Sequence, residues 1–510
     1  MCGGGGRAIL ASMPAATRRC APAFALLAAA IACGPGPGGD AGAGSSGSTS
    51  ASGEGSAEGS AEGSAGESSS GGAIACALGC AAGETCEADG VCRCSGAPGG
   101  ADDTCPPELE CGEDRRCFGP VWPNRVSRAN SDPWLMEHHH ELKAIRPRVL
   151  ALNFVNARSM AEMADHLRGA VRALAEGSRF HGYADAAAPV FLDVQVPYGI
   201  DLRDAEPPAG WPYHNSTLYP REDPQEGYWS FDYERLFSDE FAALYKIEDP
   251  AAPGAYLDLC GLFQRGLVHE VWIYGDADKP DASAAEILEV KPRYDADRRR
   301  LPGPMNRCAG NGCFDEEDVV SCGVTVRIAW FNNTRGVGCF LESLSHGLES
   351  TGNDLATIPY LHDYFPALAG FDLDARYGLP VKSWYSCPYG QPCLSYPSEA
   401  AVSYAISDAV KGTIDPYDPV CGNVHFAPNG REQYDLAGPD AVRTSCGSFR
   451  DGSGATTLYD SGVHAAYAGL APDCMGQFTV WWRQNLPGLE NHAIDDDGLP
   501  MLNWWPFLYY

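Results

Sequence analysis

"RVLALNFVNARSMAEMADHLRGAVRALAEG", residues 148 to 177, sets the architecture of this chain. Its opening "RVLALNFV" is a continuous apolar run of strand length, the pattern of a strand buried on both faces. Ser159 and Glu162 then form the S-x-x-E of a capping box, in which each side chain satisfies a backbone N–H of the other residue. Behind it Met160, Met163, Leu167, Val171 and Leu174 recur at spacings of three and four, the apolar stripe of a helix, and Gly177 stands where a C-cap glycine would. "VFLDVQV" (190 to 196) reads as the next strand. Strand, helix, strand is a βαβ unit, so these two strands are expected to be parallel.

Further strands are legible in "VHEVWIYG" (268 to 275) and "VTVRIAWFNN" (324 to 333). The expected fold of residues 118–510 is therefore α/β, a mainly parallel sheet flanked by helices. From about residue 376 the pattern dissolves into Pro, Gly, Tyr and Cys, with "SCPYGQPC" at 386 to 393. That part reads as long, irregular, disulfide-held structure over the sheet.

The preceding chain has a different grammar. Residues 1–33 place Arg7, Arg18 and Arg19 before the apolar run "APAFALLAAAIAC", which is too short to span a bilayer and reads as an export signal. Its end, Ala30-Ile31-Ala32-Cys33, resembles the lipobox of bacterial lipoproteins, which implies a lipid on Cys33; a plain secretory signal cut near Ala32 is the other reading. Residues 34–75 are almost entirely Gly, Ser, Ala and Glu and have no apolar surface to bury, so they read as a disordered tether. Residues 76–117 carry Cys76, Cys80, Cys86, Cys92, Cys94, Cys105, Cys111 and Cys117 on few apolar residues. So small a module needs staples, and four disulfides of open pairing are expected. The segment resembles EGF-like or related Cys-rich repeats of secreted proteins. A zinc site is the competing reading, disfavoured by the lack of paired C-x2-C spacing. Twenty-one cysteines in all suit an oxidising compartment.

A formal net charge of -31 argues against nucleic acid and against anionic membrane surfaces as partners, since both need clustered Lys and Arg. The membrane contact expected is the lipid anchor alone, on an exported protein of the bacterial outer membrane or cell surface, whose partner is an extracellular polymer or protein.

"GVGCFLESLSHGLES" (336 to 350) carries the chemistry-bearing residues. At about 100° per residue Glu342, His346 and Glu349 share one face, and Phe340, Leu341, Leu344 and Leu348 the opposite one. A wet helix face gives this pattern, and so does a cation held by an imidazole and carboxylates. Ligands of parallel sheets gather beyond the carboxyl ends of the strands, where Asp276, Asp278, Asn332 and Asn333 also fall. Gly336 and Gly338 open the helix and could hold an anion at its start. His346-x-x-Glu349 resembles the H-x-x-E of zinc carboxypeptidases, which add a distant third ligand; His425 in "CGNVHFAPNG" takes that place here, with Asn423 beside it.

A broader resemblance covers most of residues 145 to 510. "RVLALNF", "VHEVWIYGD", "TRGVGCFLESLSHGLES", "CGNVHFAPNG" and "LNWWPFLYY", in this order, resemble the blocks of an uncharacterised family of secreted bacterial proteins. The matching positions include Glu270, Trp272, Arg335, His346, Glu349, Asn423, His425, Trp504 and Trp505, while Thr334 and Cys339 stand where that family has acids. The resemblance selects sites and implies no reaction.

The expectation is a metal-dependent hydrolase acting on extracellular peptide or glycan. His346, Glu349 and His425 hold zinc, Glu342 is the general base, and Arg335 steadies negative charge. The alternative is a noncatalytic surface protein that binds carbohydrate or protein. "DDDG" (495 to 498) resembles the start of a calcium loop without its later glutamate, and is read as a turn. The pairs Trp481–Trp482 and Trp504–Trp505 are read as buried.

Overall fold

The computed structural model describes residues 127–203, 233–275, 286–307, 309–310 and 319–510, apart from 355 and 388. It also describes short stretches between 80 and 124 and the strands Arg221–Asp223, Tyr228–Ser230 and Ala282–Ser283. These residues belong to one compact unit, Ser68–Tyr510. No helix among them is long and apolar enough to cross a membrane. Cys33, Cys76, Asp276 and Asp278 lie outside the described residues.

Strand β1 (Arg148–Asn153) is buried along its whole length. Helix α1 (Met160–Gly177) follows with the expected capping box, Ser159 accepting from the Glu162 backbone and Glu162 accepting from the Ser159 backbone, a device that stabilises such a helix by about 1 kcal/mol. The next strand, β2 (Gln195–Asp201), pairs parallel with β1 but begins later than the apolar run suggests. The preceding residues lie beside Ile145 instead, whose N–H donates to the Phe191 carbonyl (2.8 Å) and whose carbonyl accepts the Asp193 N–H (2.9 Å), while the Phe191 and Leu192 N–H groups donate to Ser178 Oγ (3.2 and 2.9 Å).

Strands β3 (Glu270–Gly275), β4 (Ile287–Val290) and β5 (Val326–Asn332) complete a five-stranded sheet in the order β4-β5-β3-β1-β2. All its pairings are parallel except that of the edge strand β4 with β5. Alternation sends Val149, Ala151, Trp272 and Phe331 to one face, into a core with α1, and Leu150, Leu152, Ile273 and Ile328 to the other, into a second core. The first core also takes in α2 (Val337–Asn353), α3 (Pro359–Leu368), α4 (Gly476–Arg483) and α5 (Trp505–Tyr509).

The last third is more regular than its composition suggests. It contains a three-stranded antiparallel sheet, Leu394–Ser398, Ala401–Ala405 and Lys411–Ile414, besides α4 and α5. Trp481, Trp482, Trp504 and Trp505 are buried, so none offers a face to a sugar. Disulfides Cys339–Cys474, Cys387–Cys393 and Cys421–Cys446 tie this region to itself and to α2, while Cys260–Cys322 lies by the second core. In the Cys-rich segment the pairs are Cys80–Cys92, Cys94–Cys111 and Cys105–Cys117, and Cys86 is disulfide-bonded too.

Candidate metal centre

Helix α2 is anchored at its start by the segment around residue 474. The backbone N–H groups of Gly336 and Gly338 donate to the two carboxylate oxygens of Asp473 (2.6 and 2.7 Å). The anion expected at this helix end is thus the chain's own Asp473, placed where the helix dipole favours negative charge. Gly338 has to be glycine: a Cβ there would lie 2.1 Å from the Asp473 carbonyl oxygen. The Cys339–Cys474 disulfide locks the same contact, and the Met475 N–H donates to Glu342 Oε2 (3.2 Å).

The three polar residues of α2 are not on a wet face. The side chains of Glu342, His346 and Glu349 are 8%, 15% and 12% exposed. His346 Nδ1 lies 3.0 Å from Glu349 Oε2, and Glu349 Oε1 accepts the Val424 N–H (2.8 Å). A carboxylate on Nδ1 fixes the ring and favours a proton on that nitrogen, leaving Nε2 as the free lone pair of the neutral imidazole. His346 Nε2 faces Glu342 Oε1 at 3.8 Å.

His425 arrives from the loop closed by Cys421–Cys446. Asn423 Oδ1 accepts the N–H groups of His425 and Phe426 (3.0 Å each), an Asx turn that orients the loop. His425 Nε2 then lies 3.4 Å from Glu342 Oε1, and its ring stands 4.5 Å from that of His346, edge to face. Tyr434 Oη is 2.8 Å from the same His425 Nε2.

The electrostatics follow from this crowding. Burial alone pushes the Glu342 carboxyl up, but its hydrogen bonds to His346 and His425, with their charge, outweigh it and hold the group down at about 2. Burial works against the His346 imidazolium, yet Glu342 and Glu349 raise it well above the usual histidine range. A proton therefore occupies the ring when no ion does, and an ion must displace it.

Among the described residues three groups have metal-ligand geometry. In two of them, Cys94/Cys105/Cys117 and Cys339/Asp473/Cys474, every cysteine is in a disulfide and has no thiolate to give. The third is Glu342, His346 and His425, whose donor atoms lie within 4.8 Å of one another.

The two glutamates expected from sequence face different partners. Glu342, expected as a base, points at both Nε2 atoms, whereas Glu349, expected as a ligand, is engaged by His346 Nδ1 and Val424. Arg335 is exposed, and among the described residues no hydrogen bond or ion pair joins its side chain to the cluster. The strand-end residues are also apart from it. Asn332 Oδ1 accepts from Thr334 (N–H 3.0 Å, hydroxyl 2.9 Å), and Asn333 Nδ2 donates to the Gly275 carbonyl (3.0 Å). The site lies along α2 against the C-terminal third, not beyond the strand ends, because the residues that complete it come from loops after residue 420. The DDDG turn is closed in the same way: Asp495 Oδ1 accepts the N–H groups of Asp497 and Leu499 (3.0 and 2.8 Å). Sequence reasoning missed Tyr434, Asp473 and Met475; a lone aromatic and a backbone amide carry no motif that could have flagged them.

No protein-family model, no curated protein and no solved structure matches this chain.

Proposed function

We propose that this chain is a surface-tethered lipoprotein of the secreted family its sequence blocks resemble. In this reading its α/β domain, covered by a disulfide-held C-terminal part, is a metal-dependent hydrolase centred on Glu342, His346 and His425. One observation carries the reading: a single carboxylate oxygen stands 3.4 and 3.8 Å from two imidazole Nε2 atoms, with a second carboxylate on the far nitrogen of one ring. Donors about 2.0–2.1 Å from a tetrahedral ion stand about 3.3 Å apart, so these spacings suit zinc with little movement. Two imidazoles are poor partners for calcium, which takes oxygen ligands.

A zinc ion held there supplies Lewis-acid polarisation of the scissile group in an extracellular peptide or glycan. The residues of the chain do the rest. Glu349 keeps His346 in the tautomer that offers Nε2, the Asn423 turn aims His425, and the Met475 amide fixes the second oxygen of Glu342. Glu342 is here a donor, and Arg335 takes no part.

The noncatalytic alternative draws support from one feature: without an ion, Glu349 and Tyr434 already give both histidines hydrogen-bond partners. Metal analysis of the whole exported chain, purified without a histidine tag, separates the two readings. The hydrolase reading expects about one zinc per chain, absent from a folded His346→Ala protein, and metal-dependent cleavage of peptide or glycan substrates. A folded wild-type protein without stoichiometric metal would leave the cluster as a structural network.

A further inference from the structure

We propose that Tyr434 is a fourth donor at this centre, so that a first-row transition ion bound by Glu342, His346 and His425 also takes the Tyr434 phenolate. The inference rests on reading the three-residue cluster as a metal centre, and three observations lead to it.

The first is distance. Tyr434 Oη lies 2.8 Å from His425 Nε2, the nitrogen that Glu342 Oε1 approaches at 3.4 Å. Neighbouring donors on one ion with bonds of about 2.0–2.1 Å stand about 2.9 Å apart at right angles and about 3.3 Å apart in a tetrahedron. The hydroxyl is therefore near where a further ligand would sit, and an ion bound to His425 Nε2 would find it within reach.

The second is backbone conformation. Tyr434 has φ 64, a left-handed value that a bulky side chain seldom adopts. Such a conformation persists where the surroundings over-determine it, and it concentrates at functional sites. Here the Tyr434 N–H donates to the His425 carbonyl (2.9 Å). The following Asp435 grips Arg431 through that residue's backbone N–H and Nε (3.1 and 2.6 Å). The turn is held from both sides, and the side chain it presents points at the histidine.

The third is ring packing. The Tyr434 ring lies 4.5 Å from that of His425, so the hydroxyl and the imidazole nitrogen are positioned as one unit.

Two imidazoles, one carboxylate and one phenolate make a mixed nitrogen and oxygen set whose two negative charges balance a divalent ion. As the bond from Oη to the ion forms, the phenolic proton leaves to water and the ion keeps its oxidation state. The hydrogen bond seen between Tyr434 and His425 is then the ion-free arrangement of two groups that share the ion.

Copper(II) is a suitable probe, because a phenolate bound to it gives a visible charge-transfer band that imidazole and carboxylate do not. The whole exported, tag-free chain, its Tyr434→Phe form and its His346→Ala form are each titrated with copper(II), with circular dichroism and a thermal melt to verify folding. The expected result is one copper per wild-type chain with the band. Tyr434→Phe should bind copper about 10- to 100-fold more weakly and without the band, and His346→Ala should lose the site. If Tyr434→Phe does not fold, resonance Raman of the copper-loaded wild-type protein decides, through the presence or absence of enhanced phenolate ring modes. Stoichiometric copper without the band or those modes, or a band that survives in Tyr434→Phe, overturns the phenolate and leaves the three-residue centre standing. No stoichiometric copper in a folded wild-type protein overturns both.

Discussion

Helix α2 touches two clusters in which carboxylates surround cationic side chains, and they are built to different ends. One lies on the sheet, where Arg327 ion-pairs with Glu270 and Glu289, all three at most 1% exposed. Glu270 also accepts from Trp272 Nε1 (2.9 Å) and the Tyr510 hydroxyl (2.8 Å), the Thr351 hydroxyl of α2 donates to Glu289 (3.1 Å), and the Arg327 guanidinium lies 4.2 Å from the centre of the Tyr509 ring. The other is the Glu342, His346, Glu349 and His425 group, whose histidine side chains keep 15% and 31% of their surface. Arginine never gives up its proton, and its planar fork suits a permanent buried pair. Imidazole exchanges a proton for a metal near neutral pH. The same carboxylate-flanked motif therefore cements the sheet in one place and, on the reading proposed above, offers an exchangeable centre in the other, and the cation decides which.

The largest expected effect breaks the first cluster. Arg327→Ala leaves Glu270 and Glu289 buried with only the nearby Lys291, whose own burial disfavours its charge, and should destabilise the fold by about 3–5 kcal/mol in denaturant unfolding. Replacing Glu270, Glu289 and Arg327 together by apolar residues of similar volume should cost far less, since the cluster's gain is offset by its desolvation. Glu349→Gln tests the second cluster: it keeps the fold and weakens zinc binding by about 10- to 100-fold, measured by competition with a chelator.

A smaller effect is set by pH. Lys291 is fully buried, and among the described residues its Nζ has no hydrogen-bond partner. Burial pushes its pKa down to about 7 from 10.5, against the opposing pull of Glu289. Between those values the unfolded chain binds the proton that the folded chain has released, so stability should rise as pH increases. The cost of burying the charge is complete below the folded pKa and gone above the unfolded one. Unfolding at about pH 7 and about pH 9 should show this rise in the wild-type protein and a smaller one in Lys291→Met. The smallest effect belongs to Arg335→Ala, which should leave zinc content unchanged and stability within about 0.5 kcal/mol.

How much of this could be read in advance depends on how local each cause is. The first strand and α1 are written in adjacent residues, an apolar run and then a capping box, and both form where the pattern puts them. The apolar stripe of α2 was equally legible, as was the pairing of His346 with His425 across the chain. A helical wheel gives the direction of a side chain but not what it meets, so it could not assign Glu342 and Glu349 their places. Glu270 and Arg327 look like ordinary polar ends of strands until the sheet sets β3 beside β5. Asp473, Met475 and Tyr434 act through tertiary contacts alone, and α4 is too short to show a clear stripe, since its helical form depends on packing against α1 and α2.

The hydrogen bond from the Met475 amide to Glu342 spans 133 residues of chain, and the disulfide beside it joins Cys339 to Cys474 across 135. During synthesis, then, Glu342 and His346 are made long before the segments that orient them, and contacts so distant in sequence close late. A nascent chain carries both side chains on an unanchored helix, with nothing to distinguish them from any other glutamate and histidine. The cluster is complete only after everything through Met475 has been made and folded, so an ion held there, as proposed above, would be taken up by the folded chain and not by the growing one.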